Sequence, residues 1–366
     1  MKRGGRSPGK EERMAVQTLA VKYRPKTFED IVEQDAIKII LQQQLREKET
    51  KNAYLFCGPA GDGKTTTARI FANEINGGEG NPIEMDAASN SGVEDVRNIS
   101  QQARTKSMDS EYKVFIIDEC HSISNTGWQA FLKLIEEPPA KSIFIFCTTD
   151  PQKIPKTILS RVQRYDFQRI SQQGIVNRLL YILNAEREQN IDISLCQYNI
   201  EITDALEYIA KIADGGMRDA ISLMDKCLAY SSELTLKNVV EALGTVDYTV
   251  MSELSDNILS FNVKESIKIL NNVYSSGKDL KQFLKQYTQF ILDVLKRKLG
   301  CDWKYLNIPH LNEYETWIDS LDDDTERDIL ESLLGVLVRL NSEIKYSSTP
   351  KYDIEAELLL FMEDFK

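Results

Sequence analysis

At 366 residues the chain is too long for one ordinary domain, and its length predicts two or three. A hydrophobic share of 42% beside 28% charged residues is that of a soluble globular protein, and no apolar run is long enough to span a bilayer, which excludes a membrane helix. The net charge of -11 argues against a protein that coats DNA at large, because phosphate neutralisation needs clustered Lys and Arg; any nucleic-acid contact is expected on one local face.

Residues 1–18 begin polar and glycine-containing, lack the apolar core of a secretory signal, and read as a disordered extension in which Met14 could be an alternative start. Folded sequence is expected from Leu19. Tyr23-Arg24-Pro25-Lys26-Thr27-Phe28 is an extended segment that either lines a base pocket or joins the core, and its residues favour the core. A helical pattern follows through Leu45.

The apolar run Ala53-Tyr54-Leu55-Phe56 leads into Cys57-Gly58-Pro59-Ala60-Gly61-Asp62-Gly63-Lys64-Thr65, which has the form GxxxxGK[ST]. A buried strand before the turn and a helical stretch after it, Thr65 to Asn76, supply the required context. The glycines let backbone N–H groups face an anion, the new helix adds its positive end, Lys64 reaches the outer phosphates and the Thr65 hydroxyl ligates magnesium. A nucleoside triphosphate and Mg2+ are therefore the expected ligands.

Pro82 to Asp86 reads as a short strand. Ser89-Asn90-Ser91-Gly92 then opens a helix with Val93, Val96, Ile99 and Ala103 on one face. Arg97, Arg104 and Lys106 lie on or just after it, either as a solvated face or as a surface toward DNA. Lys113-Val114-Phe115-Ile116-Ile117 suits a central parallel strand that delivers Asp118 and Glu119 at its carboxyl end. Beside a P-loop, Asp118 can hold magnesium and Glu119 can orient or deprotonate a water. Asn125-Thr126 is expected to cap a helix that stops at Pro138-Pro139, and the strand Ser142 to Cys147 then ends in Thr148-Thr149, where a hydroxyl either reaches the gamma-phosphate or the attacking water or simply caps the turn.

Strands alternating with helices from Tyr54 to Phe167 predict an α/β domain with a mainly parallel sheet. From Ser171 the pattern is helical, interrupted at Asp214-Gly215-Gly216, with Arg218 in the first turn of the next helix, where a cation calls for a nearby anion, either Asp214 and Asp219 or a nucleotide phosphate. From about Asp247 the chain reads as a helical bundle without a catalytic constellation and with apolar faces suited to subunit packing. The six cysteines are scattered with no CxxC pair, which fits buried thiols in a reducing compartment and no cysteine-held metal.

Taken together, Tyr23-Arg24-Pro25, the P-loop, Asp86-Ala87-Ala88-Ser89-Asn90, Asp118-Glu119-Cys120-His121, Leu134-Ile135-Glu136-Glu137-Pro138-Pro139, Thr148-Thr149-Asp150, Ser160-Arg161 and Gly215-Gly216-Met217-Arg218-Asp219 resemble the bacterial DNA polymerase III gamma/tau clamp-loader family. The resemblance is close over about residues 19–245 and looser beyond. It implies an AAA+ ATPase domain at 19–169, a helical lid at 170–245 and an all-α collar at 246–366. It further implies a cytoplasmic bacterial or phage-encoded ATPase that assembles with other clamp-loader subunits in a pentameric ring and places a sliding clamp on primer-template DNA.

Residue by residue, Lys64 and Thr65 match the phosphate and magnesium ligands, Asp118 and Glu119 the hydrolytic acids, Thr149 (or Thr148) the sensor, Arg218 the lid arginine, and Arg161 a finger acting on a neighbour's ATP. Gly58, Ala60, Gly61, Asp62, Gly63 and Thr66 complete the nucleotide loop, joined by Tyr23 and Arg24, while Arg97 and Arg104 fall on the family's DNA-facing helix. Two departures stand out. Only Asn76 to Pro82 fills the place of the family's four-cysteine zinc module, so no zinc is expected, and Val162 follows Arg161 where cysteine is usual.

Overall fold

A computed structural model describes residues 17–90, 92–105, 107, 109–189, 200–243, 248–277, 279–308, 312–321 and 324–365. Most of the expected extension, Ser91, Lys106, Cys196 and the expected boundary at 245–246 lie outside these residues. The described chain falls into two compact units. One holds residues up to Gln189 together with Ile212–Asp225, and the other the remainder of 190–211 and of 226–366.

In the first unit a short helix α1 (Leu19–Lys22) and α2 (Asp35–Glu47) precede the strand β1 (Ala53–Cys57). Then come α3 (Lys64–Ile75), β2 (Ile83–Asp86), α4 (Val93–Arg104), β3 (Lys113–Asp118), α5 (Asn125–Glu136), β4 (Ser142–Thr148), α6 (Lys156–Leu159) and β5 (Gln163–Asp166). The strands pair in the order β2-β3-β4-β1-β5, every pair parallel. All residues of β1 and β4 are buried, as expected of strands covered on both faces.

Alternation divides the core in two. Tyr54, Phe56, Val114, Ile116, Ile143 and Ile145 pack with Phe28 and with Leu41 and Phe71 of α2 and α3. Leu55, Phe115, Ile117, Phe144 and Phe146 pack with Val96 and Ile99 of α4 and Trp128 and Phe131 of α5. The result is a three-layer α/β/α unit. The cap of α5 sits one residue earlier than expected: extended Ser124 accepts the Gly127 amide at 3.2 Å, so Asn125 is already helical.

Because β1 lies between β4 and β5, the sheet reverses direction of winding beside it, and crevices at such a point open at the carboxyl ends of the strands. Register brings those ends level: Cys57 faces Thr148, and Asp86 faces Asp118. α7 (Gln172–Gln189), α8 (Ile200–Ile212) and α9 (Met217–Tyr230) follow, with the predicted break carried by Asp214 and Gly215 at φ 46° and 87°.

The second unit is helical among its described residues, comprising most of α8, the end of α9, α10 (Leu236–Leu243), α11 (Tyr248–Leu259), α12 (Val263–Ser275), α13 (Leu280–Lys298), α14 (Asn312–Ser320), α15 (Asp324–Glu343) and α16 (Pro350–Asp364). Its core runs along α13, where Phe283, Tyr287, Phe290, Ile291 and Val294 recur at helical spacing against Leu330, Leu333 and Leu337 of α15 and Ile354, Leu358 and Phe361 of α16. No described helix is long and apolar enough to cross a membrane.

Candidate active site

The turn after β1 is shaped by what glycine permits. A Cβ on Gly58 would stand 2.2 Å from Asp62 Oδ2 and 2.7 Å from the Phe167 carbonyl, so no side chain fits there. Gly63, at φ 98°, precedes the first residue of α3, and the amides of that first turn have no helical acceptor of their own. Lys64 is buried, with Nζ donating to the Gly58 carbonyl at 2.8 Å, to Asp62 Oδ1 at 2.9 Å and to the Pro59 carbonyl. Thr65 Oγ1 donates to Asp118 Oδ2 at 2.8 Å, placing a hydroxyl and a carboxylate side by side at the end of β3.

Glu119 follows in the left-handed region at φ 45°, turning its side chain off the strand. Its Oε2 accepts the Thr149 hydroxyl at 3.1 Å and lies 3.2 Å from His121 Nδ1. That nitrogen is also 3.2 Å from the hydroxyl of fully buried Thr148, which accepts the Asp150 amide at 3.0 Å. The two threonines therefore differ in place. Thr149 reaches Glu119 and lines the cavity, whereas Thr148 closes the turn beneath it.

A cavity of about 320 Å³ joins these groups. It is lined by Tyr23, Arg24, Pro25, Ile31 and Val32, by Ala60 to Thr66 of the loop, by Asp118, Glu119 and Thr149, and by Arg178, Met217 and Arg218. The start of α9 is tied to the loop, the Met217 amide donating to the Gly61 carbonyl at 3.0 Å. Gly61 and Gly216 permit this, since a Cβ on Gly61 would come 3.0 Å from Gly216 Cα.

Charge in the cavity is mixed. Burial above all, with Arg69 and Arg218 nearby, pulls the Arg24 pKa below its ordinary value against the opposing pull of Glu84 and Asp118. Burial pushes the Asp62 carboxyl up against the opposing pull of Lys64. The Tyr23 phenol is raised by burial and by Glu186. Among the described residues no group of three or more His, Cys, Asp and Glu is placed to hold a metal ion by itself. The Thr65 and Asp118 oxygens, side by side, could supply two ligands to Mg2+ if phosphates and water supplied the others.

Residues 83–171 match the family described as DNA polymerase III, delta subunit, residues 174–233 the ATPase lid domain of the DNA polymerase III clamp loader subunit, and residues 234–363 domain III of DNA polymerase III subunits gamma and tau. The DNA polymerase III subunit tau of Bacillus subtilis is 34% identical over 94% of this chain. The chain belongs to the DNA polymerase III gamma/tau family.

Among gamma/tau relatives, the gamma subunit of Buchnera aphidicola is 29% identical over 94% of this chain and 98% of its own length, whereas the chain spans 63% of the Bacillus subtilis tau. Protein STICHEL of Arabidopsis thaliana is 31% identical over 76% of this chain and 24% of itself. A Thermotoga maritima RuvB branch migration motor covers 70% of this chain and 86% of its own at 19% identity and a TM-score of 0.49, too loose a likeness to argue from. The sheet order, the lid and the gamma/tau domain III together give an AAA+ P-loop domain followed by helical regions.

In this gamma/tau chain the cavity gathers Tyr23, Arg24, Ala60, Gly61, Asp62, Gly63, Lys64, Thr65, Thr66, Asp118, Glu119, Thr149 and Arg218, with Gly58 contributing its carbonyl beneath. The 23–28 segment is thus split, Phe28 in the core and Tyr23 to Pro25 on the wall. Arg161 lies elsewhere, half-exposed, paired with Glu136 at 2.8 Å and donating to the Thr157 carbonyl at 2.8 Å. Arg97 and Arg104 are exposed on α4, away from its buried Val96, Ile99 and Ala103. Asn76 binds the Tyr112 backbone twice, at 2.8 and 3.0 Å, which closes the short connection before β2.

Two neighbours of the site escape the sequence reading. Arg178 lines the cavity and donates to the Tyr23 carbonyl at 2.9 Å; a cation between Ile175 and Leu179 on an otherwise apolar helical face is the signal that points to it. His121 touches Glu119, and only its position two residues on marks it.

Proposed function

We propose that this chain is an ATP-hydrolysing subunit of a DNA sliding-clamp loader, working in the bacterial cytoplasm with other loader subunits, a clamp and primer-template DNA. The observation that carries this reading is the convergence of Lys64, Thr65, Asp118, Glu119, Thr149 and Arg218 on one cavity in a gamma/tau family chain. We place the ATPase domain at 19–169, the lid at 170–245 and the collar at 246–366; the lid match lies within the second of these at 174–233, while the domain III match already begins at 234.

On this reading the first-turn amides of α3 and Lys64 bind the triphosphate of ATP, and Thr65 with Asp118 holds Mg2+. When bound, the metal neutralises charge on the phosphate oxygens. Glu119 orients the attacking water and accepts its proton, its carboxylate fixed by Thr149 and His121. Arg218 adds positive charge from the start of α9, and Arg161, outside its own cavity and exposed, serves a neighbouring subunit's ATP. Tyr23 and Arg24, which line the same cavity, contact the nucleotide as well.

A second reading, a structural loader subunit without turnover, draws on the match of residues 83–171 to the delta subunit. The test is steady-state ATP hydrolysis by the reconstituted assembly with and without clamp and primed DNA. Turnover that rises with both and is lost in Lys64→Ala supports the motor. ATP binding with no turnover under any condition supports the structural subunit, and failure to associate with any clamp sinks both.

A further inference from the structure

The loop carries a buried anion that phosphate binding does not require. Asp62 is 1% exposed, and its Oδ1 accepts from Lys64 Nζ at 2.9 Å and from the Lys64 amide at 3.3 Å. Its Oδ2 has no hydrogen-bond partner among the described residues, and the bare Cα of Gly58 is what leaves room for it. A carboxylate in so dry a place is costly unless its partner compensates, and the partner here is the ammonium that the motif dedicates to phosphate. The same ammonium and the same amide that would face an anionic ligand are thus already engaged by an anion of the chain.

We propose that Asp62 is a positioning residue that acts as an internal counter-anion to Lys64 and holds the loop's affinity for nucleoside triphosphate down. This rests on the reading that the loop binds a nucleotide. A phosphate must share Lys64 with Asp62 and sit near its fixed negative charge, so the penalty grows with the charge of the phosphate chain. A loop neutralised in this way discriminates less between tri- and diphosphate than its motif alone would, and leaves more of the retention of ATP to groups outside the loop, such as Arg24 and Arg218.

The test is calorimetric binding of Mg-ATP, Mg-ADP and AMP to the full chain and to Asp62→Asn and Asp62→Thr, with circular dichroism and melting temperature as controls of fold. Both variants are expected to bind ATP at least tenfold more tightly, ADP by a smaller factor, and AMP as the parent does. ATP binding that is unchanged or weaker in a folded variant overturns the proposal, as does an equal factor for all three ligands. So does the failure of both variants to fold, which would make Asp62 a structural residue. Lys64→Ala separates the two claims: if the parent binds no ATP, or Lys64→Ala binds it as well as the parent, the nucleotide reading itself is at fault.

Discussion

Replacing Glu119 by glutamine tests the chemistry of the site with little disturbance of its shape. Glutamine has the same length, keeps an oxygen to accept the Thr149 hydroxyl now at 3.1 Å, and makes the same backbone demand at φ 45°. What disappears is the ability to take a proton from water, and the charge that holds His121 at 3.2 Å. General-base assistance is worth about 10² to 10⁴ in rate, which at about 1.36 kcal/mol per factor of ten is roughly 3 to 5 kcal/mol of barrier. The variant should bind Mg-ATP at least as tightly as the parent, since a negative charge has left the cavity wall. Single-turnover hydrolysis in the full assembly, at matched nucleotide occupancy, should then fall by about 10² or more. A rate within threefold of the parent would show that Glu119 is not the base, and with it the roles of Thr149 and His121 would fail.

Arg161→Ala breaks an exposed pair with Glu136 that contributes little to stability, so the melting temperature and nucleotide affinity of the isolated chain should not change, while hydrolysis in the assembly drops by about 10³ or more; unaltered turnover in the assembly would refute action on a neighbour's ATP. Removing both charges of Arg97 and Arg104 should weaken binding to primed DNA and lower the slope of log affinity against log salt by about 2, measured by fluorescence anisotropy, and an unchanged slope would remove α4 from the DNA surface. In the second unit, fully buried Asp293 accepts the Asn307 and Ile308 amides at 2.7 and 3.3 Å and Lys296 at 3.1 Å. Asp293→Ala leaves those amides without an acceptor and should cost roughly 2 to 5 kcal/mol in denaturant unfolding, with the P-loop cavity unaffected.

Local pattern carried most of the fold into view. β1, β3 and β4 are continuous apolar runs closed by polar residues, and a strand buried on both faces leaves that trace wherever it occurs. Lys64, Thr65, Asp118 and Glu119 were legible for the same reason, being fixed to the ends of such strands. Thr148 and Thr149 could not be told apart, because neighbours at a strand end differ only in which way they point, and the pairing of Thr149 with Glu119 decides it. Arg178 was hidden because its partner, the Tyr23 carbonyl, is 155 residues away, and no local rule reports a contact of that kind. The α5 cap slipped by one residue because Ser124, Asn125 and Thr126 are all competent caps, and backbone geometry alone selects Ser124.

The left-handed backbone of Glu119 has an evolutionary consequence. A non-glycine residue in that conformation costs about 1 to 2 kcal/mol, and glycine would remove most of it. Glu119→Gly would relieve that strain but lose the contacts to Thr149 and His121 and, on the proposed role, the base itself. On the proposed role of Glu119, a relative with glycine at this position would keep the nucleotide loop and not turn over ATP.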